Sequence, residues 1–143
     1  MEVSTIDQAV RSLKIDLEQY IFPEYSISQV HHDAVFEGKK YAYKLSGKLD
    51  ALIRDVKNPD YVSVFDYKTT KGKSRNEIEG KTQNSDGNYK RQLVFYKYLL
   101  SKQEVYKMKD ASLLFTEPDE KGNFRMETFE ISDEEVSALT LEI

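Results

Sequence analysis

The chain has 143 residues, no cysteine and a formal net charge of -4. That is the length of one domain, and it excludes a disulfide framework, thiolate zinc or iron–sulfur sites and a cysteine nucleophile. The acidic balance excludes a generally basic nucleic-acid coat but not a local basic patch, and the absence of any apolar run beyond about four residues argues for a soluble, cytoplasmic domain.

The first predicted element is a helix. Ile6, Val10, Leu13, Leu17 and Ile21 recur at steps of three or four and make one apolar stripe. Thr5 with Gln8, and Ser4 with Asp7, have capping-box spacing, and Pro23 ends the helix. Over residues 25–55 the period changes to two. The stretch 37–40 reads as a hairpin turn. In the second arm Tyr41, Tyr43, Leu45, Gly47, Leu49, Ala51 and Ile53 share one face, and Lys44, Ser46, Lys48 and Asp50 the other.

A turn at Asn58-Pro59-Asp60 leads into a third strand over residues 61–69. Residues 71–88 are polar and carry three glycines, so they read as a long loop. A second helix is expected over residues 89–101, then strands over 111–116 and 124–131 joined through Pro118, Asp119 and Gly122. Ser132 with Glu135 is a capping box that opens a last helix. The order αβββαββα is an α+β arrangement around a central mixed sheet of about five strands.

Chemistry concentrates at three places. In Phe65-Asp66-Tyr67-Lys68 the carboxylate and the ammonium are two apart on a strand and project from one face. They can be a salt bridge, or a metal ligand beside a group that orients or activates water. Asp50 lies on the strand before and can reach the same ion, and two aspartates suit the hard oxygen preference of Mg2+. Gln92 and Tyr96 are four apart on an otherwise apolar helix, placed to contact a phosphate or to orient the lysine. From Lys68 to Arg91 there are seven cations against three anions, a basic loop directly after the metal strand where a phosphate backbone can lie. His31 and His32 are adjacent, so on a strand they face opposite ways and cannot serve one ion.

The segments GKLD (47–50), FDYKTT (65–70) and QLVFY (92–96) together resemble the conserved motifs of the PD-(D/E)xK nuclease superfamily. Within it they are similar to the RecB-like nuclease domains at the C-terminus of UvrD/Rep-type helicases. The resemblance covers roughly residues 24–131. It implies a restriction-endonuclease-like core and metal-dependent DNA phosphodiester hydrolysis, as an exonuclease or endonuclease. Asp50 and Asp66 would bind Mg2+ or Mn2+, helped by the Tyr67 carbonyl and by Glu24. Lys68 would position or activate the attacking water, and Gln92 and Tyr96 would support the site and touch DNA. Lys71, Lys73, Arg75, Lys90 and Arg91 would follow the phosphates of single-stranded DNA or duplex ends.

The same resemblance implies a helicase motor as partner, a role in DNA end processing and double-strand break repair, and a chain that is an excised C-terminal fragment of a larger helicase-nuclease. Relatives place a His or Glu on the first helix, where this chain offers Glu18; Glu24 stands at the start of the first strand. The lack of cysteine puts the chain outside the iron–sulfur branch. Two other readings keep the fold. One is a DNA-binding or scaffolding module that has lost catalysis; the other is a stand-alone, phage-type exonuclease.

Overall fold

The computed structural model describes Gln8, the backbone of strand 20–22, residues 24–83 and residues 85–143. Gln8 is helical, and the remaining positions of the predicted first helix up to residue 19, Glu18 among them, lie outside the described residues. Ile21 is not helical. It belongs to β1 (Tyr20–Phe22), which pairs antiparallel with β4 (Ala51–Arg54).

Among the described residues, seven strands form two sheets. β2 (Tyr25–Phe36) and β3 (Lys39–Leu49) make a two-stranded antiparallel ribbon. Its turn is Glu37-Gly38, with φ of 51° and 78°. Two positive φ values give a two-residue turn whose twist matches the strands, which explains the glycine. The larger sheet runs β1-β4-β5-β6-β7, with β5 (Tyr61–Lys68), β6 (Lys107–Phe115) and β7 (Met126–Phe129). β5 and β6 are parallel and the other pairs antiparallel, so the sheet is mixed.

The second arm of the hairpin differs from the period-two reading at its end. Alternation holds at Leu45, Gly47 and Leu49, which turn inward between exposed neighbours. It stops at Asp50, where the chain bends and passes from the ribbon to the larger sheet. Ala51, Leu52 and Ile53 are then buried in succession, because both faces of β4 are covered. Asp50 is thus a corner residue rather than a member of a polar strand face.

Residues 71–88 are not all loop. Ser74 caps a single turn, α1 (Arg75–Ile78), in a reciprocal capping box with Glu77. Then α2 (Asn88–Gln103) carries the chain from β5 to β6. Parallel strands cannot be joined by a hairpin, so a crossover over one face of the sheet is required. Leu93, Leu99 and Leu100 of α2 are fully buried in the main core with Leu49, Val62, Val64, Leu113, Phe115 and Phe129. Ser132 and Glu135 form the expected capping box on α3 (Asp133–Thr140), which packs on α2.

The glycine of the GKLD segment has a packing reason. A Cβ on Gly47 would stand 2.6 Å from Leu99 Cδ1 and 3.8 Å from both Phe95 and Tyr96. The bare backbone lets α2 lie close against β3, and so brings Tyr96 toward the corner at Asp50. Gly47→Ala should destabilise the fold by about 1–3 kcal/mol through overpacking against the buried Leu99. A lowered urea midpoint with an unchanged m value is the expected result.

Candidate active site

The antiparallel register of β4 and β5 pairs Ala51 with Phe65, which brings the corner residue Asp50 beside Asp66. Asp50 Oδ2 accepts the Tyr67 backbone N–H at 2.7 Å, so the corner is tied to the end of β5. Two residues on, Lys68 shares the Asp66 face, and its Nζ stands 2.8 Å from Asp66 Oδ2. The side chains are 16% and 5% exposed, so this is not a solvated surface pair.

The crossover helix closes the other side. Lys68 Nζ donates to Gln92 Oε1 at 2.6 Å, and Gln92 Nε2 donates to Tyr96 Oη at 2.8 Å. Tyr96 Oη in turn points at Asp66 Oδ1, at 3.4 Å. The Lys68 ammonium also lies over the Tyr89 ring, 4.4 Å from its centroid. The two donor–acceptor pairs fix which end of the Gln92 amide faces which partner. Asp50, Asp66, Lys68, Gln92 and Tyr96 therefore meet in one place.

Asp66 is 4% exposed. Its Oδ2 is buried and is partnered by the Lys68 ammonium at 2.8 Å. Burial pushes the Asp66 carboxyl above its ordinary value; the Lys68 ammonium pulls it down, and the neighbouring Asp50 raises it again. Tyr96 is also pushed up, by burial first and then by the two aspartates, so its hydroxyl remains a neutral donor. A buried carboxylate beside a second carboxylate, an acidic pair of hard oxygen donors, is a fitting seat for a hard divalent cation. The donor set from this chain would be Asp50, Asp66 and the Tyr67 carbonyl.

Glu24 is not brought to the pair. Its side chain is 68% exposed and bonds Lys48 Nζ at 3.1 Å. No group of three His, Cys, Asp or Glu side chains suited to a metal occurs among the described residues. Glu18 lies outside them.

The five basic candidates divide. Arg75 donates to the Thr128 carbonyl at 2.6 Å and stacks on Phe129; Lys90 lies between Glu79 and Glu135 over the same ring; Arg91 bonds Glu142 at 2.6 Å. These three serve the junction of α1, α2, β7 and α3. Lys71 and Lys73 are exposed, and Lys73 reaches the Tyr89 ring at 4.9 Å. His31 is exposed, whereas His32 is buried between the Tyr98 hydroxyl at 2.8 Å and the Ile143 carbonyl at 2.9 Å. Tyr89 was not among the sequence candidates; its position three residues before Gln92, on the same helix face, is the signal that points to it.

The Asp66 carboxyl keeps its proton to higher pH in the folded protein than in the unfolded chain, so its contribution to stability falls as pH rises through that interval. Lys68→Met should move the Asp66 titration further up, and Asp50→Asn should move it down. Carboxyl carbon NMR followed against pH reads both signs, and equal titrations in parent and variants would contradict this electrostatic account.

A family model described as the PD-(D/E)XK nuclease superfamily matches residues 5–142. No curated protein matches the chain. Nine chains of solved structures match it. One, "Crystal structure of SSO0001", is 21% identical, with a TM-score of 0.47, over 82% of this chain and 48% of that one. The chain spans about half the length of that protein. No helix among the described residues is long and apolar enough to cross a membrane. With the mixed sheet flanked by helices and a family match over nearly its whole length, the chain belongs to the PD-(D/E)XK nuclease superfamily.

Proposed function

We propose that the chain is a metal-dependent DNA nuclease domain of RecB-like type, acting with a UvrD/Rep-type helicase motor in DNA end processing and double-strand break repair. The observation that carries this reading is the buried Asp66 carboxylate beside Asp50 and paired with Lys68. Superfamily membership supports metal-dependent cleavage of nucleic acid. DNA as substrate, Mg2+ or Mn2+ as the ion, and the motor rest on the likeness of the three motif segments to RecB-like domains.

In this reading Asp50, Asp66 and the Tyr67 carbonyl hold the ion. A divalent cation there supplies positive charge to a phosphoryl oxygen and lowers the pKa of water. Lys68, held by Gln92 Oε1, presents its ammonium to the attacking water and the phosphate. Tyr96 donates toward Asp66 Oδ1 and accepts from Gln92, so it keeps both groups in place. These groups address phosphate and metal rather than base edges, so sequence preference should be low.

A second reading is favoured by one observation: Glu24, the acid expected to complete the metal set, is engaged by Lys48. The domain would then bind or scaffold DNA without cutting it. End-labelled single-stranded and duplex DNA, incubated with Mn2+ or Mg2+, separates the two. Cleavage should require metal, stop with chelator, and fall about 100-fold or more in Lys68→Ala and in Asp66→Ala. DNA binding that is salt-dependent, indifferent to metal and never followed by cleavage would establish the second reading instead.

A further inference from the structure

The Lys68 ammonium has three partners. Asp66 Oδ2 stands at 2.8 Å, Gln92 Oε1 at 2.6 Å, and the centroid of the Tyr89 ring at 4.4 Å. The first of these is an oxygen that a divalent cation on the Asp50–Asp66 pair would also use. A further positive charge arriving there repels the ammonium, so the two compete for one carboxylate. The Gln92 amide and the Tyr89 ring are what remain to Lys68 once that carboxylate is taken.

The ring differs in kind from the other two partners. Carboxylate and amide oxygens are hard donors that a divalent cation can take as well. An aromatic face attracts an ammonium but offers a hard ion no oxygen. It is therefore a seat that Lys68 does not share with a metal. Tyr89 is also well fixed. It is the second residue of α2, and Asp86 ties down the helix start by accepting from the Asn88 backbone at 2.9 Å and from its side-chain amide at 2.8 Å. The Tyr89 ring packs on the fully buried Phe115, with centroids 6.4 Å apart. Lys73 touches the same ring at 4.9 Å, but it is exposed, whereas the Lys68 side chain is only 16% exposed. The attraction of a ring for a cation is stronger for the desolvated ammonium.

We infer that Tyr89 is a positioning residue for Lys68: its ring face keeps the ammonium at the site when a divalent cation takes Asp66 Oδ2. This role rests on the metal-dependent reading above. Without metal, Lys68 neutralises the buried carboxylate. With metal bound, Gln92 Oε1 and the Tyr89 ring retain the ammonium, so the site gains the ion without losing the lysine.

The test is Mn2+ binding to the full chain without DNA, read from the EPR signal of the free ion. Lys68→Met removes the competing charge and should bind Mn2+ about tenfold more tightly. Tyr89→Leu takes away the second seat, so Mn2+ should bind about fivefold more weakly, and Tyr89→Phe, which keeps the ring, should restore the parent affinity. The two positions are coupled: in a Lys68→Met background, Tyr89→Leu should change nothing. A ring that only packs on Phe115 would weaken binding equally in both backgrounds. Lys102→Met removes an ammonium from the Tyr98 ring further along α2 and should bind as the parent does. The second readout is the NMR ring-current shift of the Lys68 side-chain protons, which should persist when Mg2+ is added.

The inference is overturned if Tyr89→Leu binds Mn2+ like the parent, if its effect is the same with and without Lys68, or if Mg2+ abolishes the ring-current shift. Each of these results leaves metal binding, and with it the nuclease reading, intact. If neither the parent nor Lys68→Met binds Mn2+, the metal-dependent reading falls and takes the role of Tyr89 with it. Coupled Mn2+ binding with no cleavage of DNA keeps that role and removes the nuclease reading.

Discussion

Parallel pairing of β5 with β6 is the constraint from which the rest of the molecule follows. A parallel pair cannot be closed by a tight turn, so α2 must cross the sheet between them. The crossing helix begins close to the end of β5, where Asp66 and Lys68 emerge. Its first three turns therefore hold Tyr89, Gln92 and Tyr96 against those two side chains. Gly47 admits the helix against β3, and the same contact draws the Asp50 corner toward the site. Fold and site share one set of contacts.

The site stores an electrostatic cost. Asp66 is almost wholly buried, lies beside a second aspartate, and relies on the Lys68 ammonium for its Oδ2. A core chosen for stability alone gains little from such a group, since taking paired charges out of water costs about as much as their attraction returns. Lys68 offsets part of that cost, and Gln92 and Tyr96 hold the arrangement in register. Strain of this kind is typical where a structure is arranged to receive a ligand.

The basic residues between Lys68 and Arg91 show why charge along a sequence is a poor map of a binding surface. Arg75, Lys90 and Arg91 are neighbours of Lys73 in the chain but turn toward Glu127, Glu79, Glu135, Glu142 and the Phe129 ring. They hold α1, α2, β7 and α3 together. Lys68 and Lys73 instead converge on Tyr89. The difference arises from the element that carries each residue: Lys68 ends β5 and Lys73 precedes the Ser74 cap, whereas Arg75 lies on α1 and Lys90 and Arg91 on α2.

Much of this was legible in the chain. The alternation around Leu45 to Leu49, the apolar spacing of α2 and the capping box of Ser132 with Glu135 are local signals, and the elements lie close to where those signals put them. Asp66 and Lys68 were legible as one cluster because a strand repeats every two residues, and Gln92 with Tyr96 because a helix repeats every 3.6. The short turn α1 and the strand pairing of Tyr20–Phe22 were not, since both depend on weak local preference overridden by neighbours. Nor was the bend at Asp50, which exists because the ribbon and the larger sheet need the same chain and part company there. That Glu24 would pair with Lys48, and that Tyr89 would carry two ammoniums, were decided only in three dimensions, because both are contacts between side chains brought together by sheet register and helix crossing rather than by spacing along the sequence.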